Sequence, residues 1–380
     1  MDNKIPEEYM NILIDISRKY GNNRNYVLAG GGNTSWKSES VMAVKASGTE
    51  LGTIGKDGFV MLDMKRLNKI RTALYSESRE KREELVLADL MASRFDGENG
   101  RPSVESLLHG IIPARLVVHT HPAVVNSLTC SKNGEKKAEE IFSGRHIWVP
   151  LVDPGYVLAK TVDERLAEWT ASHGGALPDY IFLANHGVFV WGDTPEEVDK
   201  KYGKLFEILE NEIADTSPVE TDDNEYIPDD LLKDIGRLAG ENGNALFTTG
   251  EEIRGLLKTE DKYGLLMKSL TPDHIVYMGH LPLVAEYKER DVFFERIKQD
   301  YKVFYKKWGK QAKTILVPGK GFISIGTSPK ASEKSRLLML DAIRVIRMTS
   351  SFGGPEYMTD EKVRFINTWE VEKYRERQAG

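Results

Sequence analysis

Two short apolar runs, Tyr180 to Ala184 and Val188 to Trp191, face each other across Asn185-His186-Gly187. β-branched and aromatic residues on both sides of a Gly-containing turn read as paired strands. A helix follows at once. It opens at Asp193 or Thr194, carries Pro195 in its first turn, sets Glu196 and Glu197 against its positive end, and runs to about Ala214. A strand pair that feeds straight into a helix confines the chain to α/β architectures, in which helices cover a sheet.

The same signals recur further on. Ile315 to Gly326 again reads as strand, Gly turn and strand before a helix of similar length. Pro113 to Pro122 also resembles Pro272 to Leu281, which sets His119-Thr120-His121 opposite Met278-Gly279-His280. On a duplication reading, the second copy has lost two of three imidazoles, at Met278 and Lys320, and with them a metal. On the other reading, two α/β domains share a common pattern by chance. Between them, Asp215 to Asp230 is acidic and polar, as a linker is. The expected organisation is one domain over residues 1–220 and a second α/β domain over 221–380.

Elsewhere, Pro6 to Tyr20 has helical apolar spacing. Tyr26 to Ala29, Val41 to Ala46, Phe59 to Leu62 and Leu116 to His119 read as strands. Glu83 to Phe95 reads as helix. Ser103 to Gly110 reads as a helix start, with Ser103 as N-cap behind Pro102.

Composition narrows the function. A net charge of −6 over 380 residues, with no long basic run, argues against a general nucleic-acid binder. Met1 to Gly21 lacks the basic and apolar regions of a secretory signal, and no apolar run is long enough to span a bilayer. A single cysteine, Cys130, rules out an internal disulfide. The expectation is a cytoplasmic protein with no membrane or nucleic-acid partner.

The chemistry-bearing residues begin at Val117-Val118-His119-Thr120-His121-Pro122. Residues i and i+2 of a strand share a face, so both imidazoles can converge on one ion. His186 in its turn would complete three nitrogen ligands. Three protein ligands with an open position is the pattern of a catalytic zinc rather than a structural one. An isolated pair of this kind is also read as two histidines hydrogen-bonded at a strand end. Glu105 is the nearby acid, able to serve as general base at such a site or simply to sit at a helix N-terminus. His109, one turn on, reads as a partner to the site or a core histidine. Gly30-Gly31-Gly32-Asn33-Thr34-Ser35 and Lys45-Ala46-Ser47-Gly48-Thr49 offer amides and hydroxyls that, with Ser103, could cradle a phosphate. Neither fits a nucleotide-binding spacing, and each also reads as an ordinary tight turn.

Asn33-Thr34-Ser35, Ser47-Gly48, Pro102-Ser103-Val104-Glu105, His119-Thr120-His121 and Asn185-His186-Gly187 occur in the order of the class II aldolase/adducin family, which the chain resembles over roughly residues 20–215. The longer phrases Gly30 to Ser35 and Val152-Asp153-Pro154-Gly155-Tyr156 resemble one branch, the aldolase portion of bifunctional rhamnulose-1-phosphate aldolase/short-chain dehydrogenase proteins. Leu316-Val317-Pro318-Gly319 and Thr368-Trp369-Glu370 resemble the segment that follows it there. No dinucleotide fingerprint occurs, so an aldolase portion without the dehydrogenase is expected.

The resemblance implies a three-layer α/β/α domain with a mostly antiparallel central sheet. It implies a divalent metal, usually Zn2+, on His119, His121 and His186, with Glu105 as catalytic acid/base. It places Asn33, Thr34, Ser47, Gly48 and Ser103 at substrate or phosphate contacts. Val104 stands where small phosphate aldolases often have a second serine, which removes one hydroxyl donor. The acid that protonates the leaving aldehyde usually comes from a neighbouring subunit, so a homo-oligomer is expected; Tyr156 is a candidate for that acid. The implied reaction is cleavage of a ketose 1-phosphate, of the rhamnulose or fuculose type, to dihydroxyacetone phosphate and an aldehyde. Its rivals are epimerisation, decarboxylation or dehydration at the same site, a Schiff base on Lys45, and a non-catalytic adducin-like scaffold. The second domain is a candidate for a scaffold, assembly or lid element.

Overall fold

The computed structural model describes residues 5–224 and 226–369; Met1 to Lys4, Glu225 of the linker and Glu370 of the Thr368-Trp369-Glu370 phrase lie outside them. The chain divides into two compact units, Met1–Thr129 with Asn133–Glu212, and Cys130–Lys132 with Ile213–Gly380.

The first unit runs α1 (Glu7–Gly21), β1 (Asn33–Lys37), β2 (Val41–Lys45), β3 (Phe59–Asp63), α2 (Met64–Thr72), α3 (Arg79–Ala92), α4 (Ser106–Ile111), β4 (Leu116–Thr120), α5 (Ala123–Thr129), α6 (Gly134–Phe142), β5 (His146–Val149), α7 (Tyr156–Ser172), β6 (Tyr180–Leu183), β7 (Gly187–Gly192) and α8 (Pro195–Glu212). Its strands form one sheet in the order β3-β2-β1-β4-β7-β6-β5. Every neighbouring pair is antiparallel except β5 and β6. Leu67, Val86, Leu108 and Val162, from α2, α3, α4 and α7, pack with Val44, Val117, Ile181 and Trp191 of the sheet. Tyr180 and Phe182 alternate with Ile181 and Leu183 and so point the other way. There their rings meet Phe142 of α6, and the Tyr180 hydroxyl donates to the Lys201 carbonyl of α8. Helices thus cover both faces, giving the expected three layers. Each fully buried aliphatic or aromatic side chain contributes about 1.5–3 kcal/mol to holding them together.

Two local expectations are corrected. Tyr26 to Ala29 is not a strand; it is an irregular segment, and the strand begins at Asn33. Its residues read as strand because they are apolar, but Tyr26 packs its ring on Tyr20, Tyr202 and Phe206. Ser103 is not the N-cap of α4; Glu105 holds that position. The Ser103 hydroxyl instead accepts from the Glu105 amide one residue before the helix starts.

The second unit runs α9 (Asp229–Gly236), β8 (Asn244–Thr248), α10 (Glu251–Leu256), α11 (Glu260–Tyr263), β9 (Leu283–Val284), α12 (Arg290–Trp308), β10 (Thr314–Val317), β11 (Gly321–Gly326), α13 (Pro329–Thr349) and α14 (Asp360–Thr368). Its sheet has the order β8-β11-β10-β9. Leu231, Phe293, Ile297 and Phe304 pack against Ile315, Val317, Ile323 and Ile325.

This order repeats β4-β7-β6-β5 of the first unit, strand for strand. The outer pairs β5–β6 and β9–β10 are both parallel. The hairpins share a register, Leu183 opposite Gly187 and Val317 opposite Gly321. Val188 faces Thr120 as Phe322 faces Thr248. A Cβ on Gly187 would lie 2.4 Å from the Thr120 carbonyl oxygen, and one on Gly321 would lie 2.3 Å from that of Thr248. The counterpart of β4 is therefore β8. Pro272 to Leu281 is not that counterpart, because His274 to Met278 forms a buried π-helical turn. A short apolar run fits a strand or a buried helical turn equally well on sequence alone. By register, Phe247, Thr249 and Lys320 stand where the first unit has His119, His121 and His186. Among the described residues, no helix is long and apolar enough to cross a membrane.

Candidate metal centre

β4 is a central strand whose last residues reach the end of the sheet. His119 on it is fully buried, and its ring stacks on Phe189 with centroids 4.2 Å apart. His119 Nδ1 lies 2.9 Å from the Val188 carbonyl oxygen. A carbonyl only accepts, so Nδ1 carries the proton and Nε2 keeps its lone pair for another partner. His121 Nε2 lies 2.9 Å from that same atom.

His186 arrives from the β6–β7 turn. Asn185 takes φ 56°, the left-handed region that Asn tolerates better than most residues, and its amide donates to the Thr129 carbonyl at 2.8 Å. Gly187 then brings β7 hard against the end of β4, where a Cβ would also strike His121 Cδ2 at 2.7 Å. The result is a ligand atom from each of His119, His121 and His186, all within 4.8 Å of one another.

Glu105 completes the cluster from the N-cap of α4. Its Oε1 lies 3.4 Å from His119 Nε2 and 3.5 Å from His186 Nε2, and has no hydrogen-bond partner. Its Oε2 accepts from the Asn33 amide at 2.5 Å. Burial alone would raise the Glu105 pKa, but the three imidazoles and the Asn33 donor outweigh it and hold the carboxyl at about 2. Burial pushes the His119 imidazole well below its usual value. Three imidazole nitrogens and one carboxylate oxygen converging on one point are the donor set of a divalent metal with an open coordination position.

The other expected residues divide. The segments carrying Ser47 and Ser103 pair with each other: the Ser47 amide donates to the Arg101 carbonyl and the Ser103 amide to that of Lys45. Gly48 is exposed with φ 88°. Lys45 is buried on β2. Thr34 is a correction: it points to the face of β1 opposite Asn33, fully buried, with its hydroxyl 2.6 Å from that of Ser17 on α1. Asn33 to Ser35 also lie in a strand with sheet neighbours on both sides, not in a loop of free amides. The Tyr156 hydroxyl donates to the Ala73 carbonyl at 3.1 Å and its ring packs on Tyr75, so within this chain it is not directed at the triad. Sequence reading missed the use of Asn33 toward Glu105. The signal was available: Asn33, Ser35 and Lys37 place three polar groups on one face of an otherwise buried strand.

Residues 11–210 match the family described as Class II Aldolase and Adducin N-terminal domain. Over 417 aligned residues the chain is 27% identical to the uncharacterized oxidoreductase YuxG of Bacillus subtilis (strain 168), covering 96% of this chain and 57% of that protein. Over 142 residues it is 30% identical to the methylthioribulose-1-phosphate dehydratase of Geobacillus kaustophilus (strain HTA426), covering 33% of this chain and 65% of that one. The chain thus spans less than two thirds of the length of each. Among solved structures, the N-terminal class II aldolase domain of a conserved protein from Thermoplasma acidophilum aligns at 27% identity and TM-score 0.46, covering 56% of this chain and 98% of that one.

Proposed function

From the premise that this chain belongs to the class II aldolase and adducin family, we propose that its first unit is a divalent-metal-dependent aldehyde-lyase that cleaves a ketose 1-phosphate to dihydroxyacetone phosphate and an aldehyde. The observation that carries this reading is the convergence of His119, His121 and His186 on one point, with Glu105 Oε1 3.4 and 3.5 Å from two of them. A divalent ion such as Zn2+, when bound there, supplies Lewis-acid stabilisation to negative charge developing beside the broken bond.

The chain's own residues do the rest. In the cleavage direction, a hydroxyl proton leaves the oxygen that becomes the aldehyde carbonyl. The C–C bond breaks, and a proton returns to the carbon that becomes the CH2OH of dihydroxyacetone phosphate. Glu105, ionised and held at the triad, carries the proton to and from the reacting oxygen or carbon. Ser47, Gly48 and Ser103 bind the phosphate, through the two serine hydroxyls and the Gly48 amide. Asn33 keeps one amide hydrogen for the same task. The active form is a homo-oligomer.

The likeness to a methylthioribulose-1-phosphate dehydratase supports a second reading, in which the same residues remove water rather than break the C–C bond. Metal analysis followed by a screen of ketose 1-phosphates, with and without chelator, tests both. Dihydroxyacetone phosphate as product supports the aldolase, and a product lighter by one water supports the dehydratase. Full turnover after complete metal removal excludes both.

A further inference from the structure

Three successive residues on one face of β1 grip a single residue of α4. The Ser35 hydroxyl lies 2.7 Å from His109 Nδ1, the Asn33 side-chain oxygen is hydrogen-bonded to His109 Nε2, and Lys37 Nζ donates to the His109 carbonyl at 2.6 Å. His109 is fully buried. Its carbonyl would ordinarily accept from the amide four residues on, but that residue is Pro113, which has no N–H. The Lys37 amino group, whose pKa burial lowers to about 7, takes that role.

The hydrogen bonds order the protons along the chain. Asn33 turns its NH2 toward Glu105 Oε2 and its oxygen, which only accepts, toward His109. His109 must then carry its proton on Nε2, and its bare Nδ1 accepts from Ser35. Burial, with the Lys37 charge adding to it, lowers His109 to about 3, so the ring stays neutral across the working range.

We infer that His109 is the positioning residue for Glu105: the relay Ser35–His109–Asn33 clamps Oε2 and leaves Oε1 as the oxygen presented to the triad. This rests on the reading of Glu105 as the acid/base. A carboxylate at the N-cap of a six-residue helix has few other restraints, and a base displaced by about 1 Å loses on the order of 100-fold in rate.

The test has an arm that needs no turnover. In 15N-labelled protein, long-range 1H–15N correlations should show His109 protonated on Nε2 and bare on Nδ1; the opposite tautomer overturns the inference. The kinetic arm uses His109→Phe, His109→Gln and Ser35→Ala. His109→Phe should keep wild-type metal content and a KM within about threefold, while kcat falls about 100-fold. His109→Gln keeps a donor toward Asn33 and should recover at least tenfold of that loss. If His109→Phe does not fold, a kcat-only loss of about tenfold in Ser35→Ala replaces it. Unchanged kcat in these variants, or a loss explained wholly by metal content, overturns the inference. A wild-type protein that turns over no ketose 1-phosphate would instead sink the functional reading, and the tautomer would still decide the arrangement around His109.

Discussion

β4-β7-β6-β5 in the first unit and β8-β11-β10-β9 in the second are the same strand order with the same hairpin register. They differ where chemistry would be. His119, His121 and His186 face Phe247, Thr249 and Lys320. The Lys320 ammonium sits over the rings of Tyr226 and Tyr287, at 4.9 and 5.8 Å, and the Thr249 hydroxyl is hydrogen-bonded to the Lys320 carbonyl. Among the described residues Glu105 has no counterpart, because the second sheet has only the four strands β8 to β11 and lacks equivalents of β1–β3. The packing of the hairpin is therefore independent of the imidazoles: the scaffold closes with them or without them.

The strongest way to break this comparison is to exchange the two sites' fates. His186→Ala should abolish bound metal and lower turnover by about 1,000-fold or more, whereas Lys320→Ala should leave one metal per chain; metal content by plasma emission decides it. A second metal equivalent lost with Lys320→Ala would contradict the register assignment. Glu105→Gln should come next, keeping the metal but lowering kcat by about 100- to 1,000-fold, read from steady-state kinetics on metal-loaded protein.

The glycines sharpen the likeness. Gly187→Ala and Gly321→Ala should each destabilise by about 1–3 kcal/mol in urea titrations, because each Cβ meets a carbonyl oxygen that cannot move away. Only the first should also weaken metal binding.

Acid should separate the units. His109 of the first unit is held at about 3, and His280 of the second at about 4, both by burial. Each depressed imidazole stays neutral when folded, while the unfolded chain takes up a proton below about 6.5. Stability is thus full above that pH and falls by about 1.4 kcal/mol per pH unit per group as pH drops, levelling off near each folded value. His280→Gln should remove the branch that ends near 4 and His109→Gln the one that ends near 3, in denaturation of metal-free protein across pH. The smallest effect belongs to Lys320→Ala on stability, a loss of about 0.5–1 kcal/mol from its partly exposed aromatic contacts.

Much of this was legible in the residues. The hairpin at Asn185-His186-Gly187 is set by local turn chemistry and reads directly. So does the shared face of His119 and His121, which needs only the two-residue period of a strand. What did not read depends on partners far along the chain. Asn244 to Thr248 shares little with Leu116 to Thr120, so the counterpart of β4 emerges only from pairing. The side of β1 on which Thr34 lies follows from α1, and Tyr26 to Ala29 is apolar because of α8. The task given to Asn33 follows from a helix more than seventy residues away.

A glycine wedged against a neighbouring carbonyl is fixed by packing and not by any reaction. In a relative stripped of all three imidazoles, that missing methyl group and the threonine it touches would still mark where the catalytic turn had been. Surveys for dormant members of the fold should therefore look for the contact, not the ligands.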